Sequence, residues 1–502
     1  MKAIFNPAIQ SFISIGLKNI ENWVKYPIET QRHVLQDLIS NAQHTAFGLK
    51  HNFSNIMSIR KFKEKIPLVD YDKFKPFIDK IIEGEEDITW NTPISWLAKS
   101  SGTTNDKSKF IPISEECLMD GHYKAAKDVL YLYYKNVKNS SMLLGKGLVV
   151  GGSHQLHQFN ENFQCGDLSA VLLQNSPFWS TIIRTPDLSI ALLDDWEEKI
   201  FKLAEATMKE NVTSLVGVPT WSLILLNTIL KISGAKNILE VWPQFEVFIH
   251  GGVSFLPYKH QFEELFGGNV KFMEIYNASE GFFAIQDNLE DDGLLLLLDH
   301  GIFYEFMDFE DFGKPEPKTI GLDKVVLHKN YVMIISTNTG LWRYIVGDLI
   351  QFTNVYPFRI IISGRTKQFI NTFGEELMVH NTDKAIELAS LDNQCMVKEY
   401  TLAPVHLTTK HSGYHKWLIE FEKPPLDLLS FTKSLDAHLK QLNSDYEAKR
   451  QHDLALAMPK ILQIKNNEFH RWLKLKNKLG GQHKIPRMSS DLKLINELLE
   501  LK

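Results

Sequence analysis

Leu97-Ala98-Lys99-Ser100-Ser101-Gly102-Thr103-Thr104-Asn105-Asp106-Lys107-Ser108-Lys109-Phe110-Ile111-Pro112 gathers hydroxyls around a single glycine and follows them with lysines. Gly102 lets the backbone approach an anion closely, successive N–H groups and the hydroxyls of Ser100, Ser101, Thr103 and Thr104 donate, and Lys107 or Lys109 adds charge. That combination suits a polyphosphate and points to ATP. The same composition also serves as a turn or helix cap in a solvated loop. It is not a Walker loop, because no second glycine and no Gly-Lys-Ser/Thr ending follow at the required spacing.

Around this segment the chain alternates strands and helices. Asp195-Trp196-Glu197-Glu198 reads as a helix start resembling a capping box, with Trp196, Ile200, Leu203, Ala204 and Met208 on one face. A strand over 213–218 then leads through Pro219 into a helix over 221–232, apolar on most sides and therefore expected to be buried. Strands over 147–150, 245–250 and 270–275 each run into a loop containing Gly or Asn, where α/β folds place ligands. After about residue 370 Lys and His become common and glycine-containing strand ends rarer. The reading is an α/β protein with a large N-terminal domain over 1–365, β-sheets flanked by helices, and a smaller C-terminal α+β domain over 366–502, joined by a hinge.

The 502 residues exceed what one hydrophobic core usually serves, and 44% hydrophobic with 23% charged is ordinary globular composition. A net charge of −5 with no basic block argues against nucleic acid as a partner. Cys117, Cys165 and Cys395 stand far apart without metal-ligand spacing, which fits reduced thiols in a cytosolic enzyme. No apolar run approaches the roughly 18 residues of a membrane span, so a soluble cytoplasmic protein is expected. His154 and His157 lack an evident third ligand, and no metal beyond magnesium is expected.

Three further loops carry chemistry. Ile275-Tyr276-Asn277-Ala278-Ser279-Glu280-Gly281 sets a ring, a hydroxyl and a carboxylate together, suited to adenine, a phosphate-side hydrogen bond and magnesium. Trp342-Arg343-Tyr344-Ile345-Val346-Gly347-Asp348 is read as ending an apolar strand with a carboxylate able to accept from both hydroxyls of a ribose. Ile362-Ser363-Gly364-Arg365-Thr366-Lys367 offers a fixed cation at the domain boundary. Each segment alone also reads as a turn.

In this order the segments resemble the adenylate-forming superfamily of acyl-CoA synthetases, peptide-synthetase adenylation domains and luciferases. The closer resemblance is to the auxin-responsive acyl-acid amido synthetases, the Gretchen Hagen family. It rests on Ser100-Ser101-Gly102-Thr103-Thr104 ending in Lys109-Phe110-Ile111-Pro112, with Ala46-Phe47-Gly48, Ile66-Pro67-Leu68-Val69-Asp70-Tyr71, Gly217-Val218-Pro219-Thr220-Trp221 and Gly481-Gln482-His483-Lys484-Ile485-Pro486-Arg487 in step. The resemblance implies that Ser100 to Thr104 hold the phosphates. It places Tyr276, Ala278 and Ser279 along the adenine and α-phosphate, with Glu280 positioning magnesium. Gly252 and Val253 form a second adenine wall, Asp348 binds the ribose, Arg365 assists it, and Lys484 and Lys109 act on the phosphates. The acyl pocket falls to Met119, Tyr123, Leu130 and the stretch 168–173. The implied reaction uses ATP and Mg2+ to activate a small carboxylic acid as its adenylate, then transfers the acyl group to an amino acid or other amine, with a swing about residues 365–367 between the halves. A carboxylate–CoA ligase and a catalytically silent nucleotide- or acyl-binding protein are the alternatives. The acid, the amine and the oligomeric state are not legible.

Overall fold

The computed structural model describes residues 2–100, 109–151, 157–158, 163–177, 180–193, 195–366, 369–370, 372, 375, 377–405, 413–443, 446–447, 450, 456–476, 484–489 and 491–501. Ser101, Gly102, Thr103, Thr104, Lys107, His154 and Lys367 lie outside them. The chain divides into two compact units, Met1–Gly252 with Asn269–Ile361, and Val253–Gly268 with Ile362–Lys502.

The first unit is built on a sheet that has twelve strands among the described residues. Arg184–Thr185, Lys146–Val150, Val212–Gly217, Val247–Gly251 and Lys271–Ala278 are parallel neighbours in that order. Gly281–Gln286 then turns back antiparallel, and the order continues through Leu294–Leu296, Phe358–Arg365, Tyr344–Val355, Asn330–Thr337, Ile302–Asp308 and Thr319–Ile320. Parallel strands need covered faces, and the crossovers supply helices to cover them. One is Trp196–Thr207, whose N-cap Asp195 accepts from the Glu198 N–H at 2.7 Å and whose Ile200, Leu203 and Ala204 are buried. The next, Pro219–Ser233, starts on a proline at its first turn. It buries one face through Leu223, Leu226 and Ile229, but Ile224 and Leu230 are half-buried and Ile232 is exposed, so the expectation of burial on most sides fails. Its exposed positions are Asn227, Lys231, Ile232 and Ser233, so its outer face is largely polar.

A smaller sheet carries the hydroxyl-rich segment. Trp96–Ser100 and Lys109–Ile113 pair antiparallel with Ser100 opposite Lys109, so residues 101–108 join two strands at that base. Gln164–Gly166 lies parallel on the other side of Trp96–Ser100. Helices of the first hundred residues pack around Trp342, which is fully buried, meets Phe47, Phe53 and Phe62, and donates from Nε1 to the Thr89 carbonyl at 3.2 Å.

In the second unit Met396–Val405 and Tyr414–Lys423 pair antiparallel, with Lys460–Ile464 added in parallel. Helices Val379–Asp392 and Leu428–Leu442 pack on each other, over a core holding the stacked Tyr400 and Trp417. Tyr258, in the 253–268 segment, belongs here because its hydroxyl accepts from Arg487 Nη2 at 2.6 Å. Arg487 in turn lies 3.4 Å from Asp383 and over the Tyr400 ring. Among the described residues no helix is long and apolar enough to cross a membrane.

Candidate active site

The strand Lys271–Ala278 extends further than the sequence suggested. Tyr276, Asn277 and Ala278 are still in it, and only Ser279 and Glu280 form the turn before Gly281–Gln286. A two-residue connection between antiparallel strands keeps both turn residues close to the sheet, and both are buried. At the neighbouring strand end Gly251 is required: a Cβ there would stand 2.4 Å from the Ile275 carbonyl oxygen. Gly252 follows in the left-handed region at φ 83°, as the last residue before the second unit begins at Val253.

Asp348 does not end its strand, contrary to the sequence reading. It lies inside Tyr344–Val355, where Val332 pairs with Leu349 but Ile334 pairs with Ile345, leaving Val346, Gly347 and Asp348 facing one residue. The strand therefore bulges, and Gly347 takes φ 93°, a conformation that costs other residues strain. The bulge turns Asp348 to where its Oδ2 accepts from the Tyr276 hydroxyl at 2.6 Å. Replacing Tyr276 with phenylalanine removes this bond while keeping the ring. The expected result is a roughly tenfold rise in KM for ATP with a melting temperature lowered by no more than a few degrees. Equal losses in both would show that the hydroxyl only supports the fold.

Two buried hydroxyls here are unspent among the described residues, Ser279 Oγ and Tyr344 Oη. Burial, then the Glu280 carboxylate, hold the Tyr344 phenol well above its ordinary range, so it stays protonated. An unpartnered buried polar group is costly and uncommon in a folded chain. Tyr344 was not singled out from the sequence; its ring meets that of Phe74 edge-on, with centroids 6.4 Å apart.

Lys109 is half-buried at the base of the hairpin, its ammonium 5.5 Å from the Tyr71 ring centre. Arg365 ends its strand, is exposed, and falls with Lys484, also exposed, in the second unit. Around the expected acyl pocket, Cys117–Tyr123 is a π-helical turn, a form frequent at functional sites. The Tyr123 hydroxyl donates to the Leu172 carbonyl at 2.8 Å, which joins the two segments proposed to line the pocket. Met119 is exposed, whereas Leu168, Val171 and Leu173 are buried.

Asp167 escaped the sequence reading. It follows Gln164–Gly166, beside the strand bearing Lys99, and burial pushes its carboxyl up to about 7 against the pull of Lys99 and Lys199. The folded chain keeps this proton up to about pH 7, whereas the unfolded chain releases it near the ordinary 3.8. Between those values the folded state binds more protons, so stability falls as pH rises through that window. Urea midpoints measured from pH 4 to 8 are expected to fall less steeply in Asp167→Asn than in the parent chain; parallel curves would refute the assignment. Cys117, Cys165 and Cys395 are free and buried, with thiols pushed up to about 12, 11 and 11 by burial, which removes them as nucleophiles.

Profiles described as the GH3 family N-terminal, central and C-terminal domains match residues 16–271, 295–365 and 380–493. The chain belongs to the GH3 family. Relatives within it include indole-3-acetic acid-amido synthetase GH3.3 of Arabidopsis thaliana, 23% identical over 95% of this chain and 91% of that one. Jasmonoyl–L-amino acid synthetase JAR4 of Nicotiana attenuata is 23% identical over 72% of each. The solved GH3.15 acyl acid amido synthetase superposes with a TM-score of 0.78 at 17% identity, covering 96% of this chain and 95% of that one. The mixed α/β architecture with its smaller C-terminal domain is thus that of the GH3 fold.

Proposed function

We propose that this GH3 chain is an ATP-dependent acyl-acid amido synthetase acting on a small carboxylic acid and an amine, with an amino acid the favoured acceptor. The observation that carries the reading is the bulge that turns Asp348 onto Tyr276, on the strand that leads directly into buried Ser279 and Glu280. An ionised aspartate accepts from both hydroxyls of a ribose, and Tyr276 orients it. The unspent hydroxyls of Ser279 and Tyr344 fit an anionic group, as a phosphate would provide. Relatives named for indole-3-acetic acid and jasmonoyl substrates support an acyl-acid substrate.

In the first half-reaction the acid's carboxylate oxygen bonds to the α-phosphorus while the bond to pyrophosphate breaks. In the second the amine nitrogen bonds to the acyl carbon, the bond to AMP breaks, and the amine's proton passes to solvent. Ser100, Ser101, Gly102, Thr103, Thr104 and Lys109 would hold the phosphates, donating to the charge that develops there. Tyr276, Ala278, Gly252 and Val253 enclose adenine, and Arg365 assists Asp348 at the ribose. Glu280 would hold magnesium, which when bound neutralises phosphate charge. The body formed by 366–502 moves about residues 365–367, bringing Lys484 to the phosphates and shielding the adenylate from water. Buried, protonated thiols support a cytoplasmic setting.

The test is ATP–pyrophosphate exchange across aryl, indolyl and aliphatic carboxylic acids, followed by amide analysis with amino acids and with CoA. Exchange with one acid and amide formation are the expected results. Thioester formation would make the chain a CoA ligase, and ATP binding without exchange would make it a binding protein.

A further inference from the structure

Tyr71 joins two parts of the proposed nucleotide site that are far apart in sequence. Val69 is stapled to the start of Tyr344–Val355: its N–H donates to the Arg343 carbonyl at 3.2 Å and its carbonyl accepts from Ile345 N–H at 2.8 Å. Two residues on, Tyr71 opens the helix Tyr71–Ile82, whose N-cap Asp70 accepts from Lys73 N–H at 3.1 Å. The Tyr71 side chain is therefore held from the same strand that bulges at Asp348. Its hydroxyl accepts from the Phe110 N–H at 2.9 Å, and its ring face lies under the Lys109 ammonium at 5.5 Å. One residue thus grips both the backbone and the charge at the exit of the hydroxyl-rich segment.

From this geometry we infer that Tyr71 is the positioning residue for Lys109, fixing the lysine's ammonium relative to the strand that carries the ribose-binding Asp348. The inference deepens the nucleotide-binding reading above and rests on it. A long lysine side chain has many rotamers to lose, and a ring face that attracts its charge narrows them before ATP arrives. The hydroxyl adds a second constraint, because the Phe110 amide has its partner on Tyr71 and the strand base cannot shift without losing it. Burial keeps the phenol protonated, so Tyr71 adds no negative charge beside the phosphates.

The experiment is a double-mutant cycle of Tyr71→Leu and Lys109→Met on the full chain. It is read as Kd for magnesium–ATP by calorimetry and as KM for ATP in exchange, with melting temperatures recorded for each variant. Tyr71→Leu is expected to weaken ATP by roughly tenfold with KM for the acid changed less than about twofold, and Tyr71→Phe, which keeps the ring, by only about threefold. Added to Lys109→Met, Tyr71→Leu is expected to cost nothing further, because the cation it positions is gone. The same cycle with Tyr71→Met, which also removes the ring, serves if Tyr71→Leu does not fold. Additive losses would overturn the inference while leaving Lys109 in place. Unchanged ATP affinity in Lys109→Met would overturn the lysine's assignment and this inference together. The calorimetric arm decides even where exchange is absent.

Discussion

Glu280→Gln is expected to lower ATP–pyrophosphate exchange by at least ~100-fold while leaving the melting temperature within a few degrees of the parent chain. Glu280 is buried at the two-residue turn between Lys271–Ala278 and Gly281–Gln286, so its main chain is held by a strand on both sides. The glutamine variant preserves volume and hydrogen-bonding reach but removes the charge, and charge is what a magnesium-bound triphosphate requires of it. Losing a buried charge does not itself harm the fold, since desolvating a carboxylate is costly. Activity and stability should therefore separate. Calorimetry with ATP, with and without magnesium, sharpens the result: the gain in affinity brought by magnesium should shrink in the variant. Retained exchange would remove Glu280 from the site, and parallel loss of exchange and melting temperature would reduce it to a structural residue.

Arg343→Met is expected to destabilise the chain by about 3–5 kcal/mol, the cost of leaving a buried charge without its partner. Arg343 donates from Nε and Nη2 to the two carboxylate oxygens of Glu305 at 2.9 and 3.0 Å, and from Nη2 to Thr319 Oγ1 at 3.0 Å. Its Nη1 donates to the carbonyls of Lys63 and Ile66 at 3.0 and 2.6 Å. Glu305 is almost wholly buried, and Lys63 Nζ, 3.5 Å away, is its remaining cation. Arg343 also sits at φ 43°, a left-handed conformation that this network holds in place. Urea unfolding reads the loss directly. The companion variant Arg343→Met with Glu305→Gln should recover much of it, because the orphaned charge is then gone. No recovery would show that the backbone conformation, rather than the ion pair, carries the cost.

What could be read from the chain alone was what depends on near neighbours in sequence. The cap of Asp195 on Glu198 and the helix after Pro219, which the structure begins at the proline itself, follow from local backbone chemistry, and the family resemblance followed from the order of short segments. Tertiary structure decided the rest. The bulge at Asp348 depends on pairing with Asn330–Thr337, so a strand that seemed to end at a carboxylate instead runs through it. The turn at Ser279 and Glu280 narrowed because the partner strand starts at Gly281. Tyr71, Arg343 and Asp167 gain their roles from Lys109, Glu305 and Lys99, each brought near by folding rather than by spacing. Sequence patterns report the local backbone and which face is apolar, whereas burial of a charge or hydroxyl, and the partner that relieves its cost, are set only when distant strands and helices pack together.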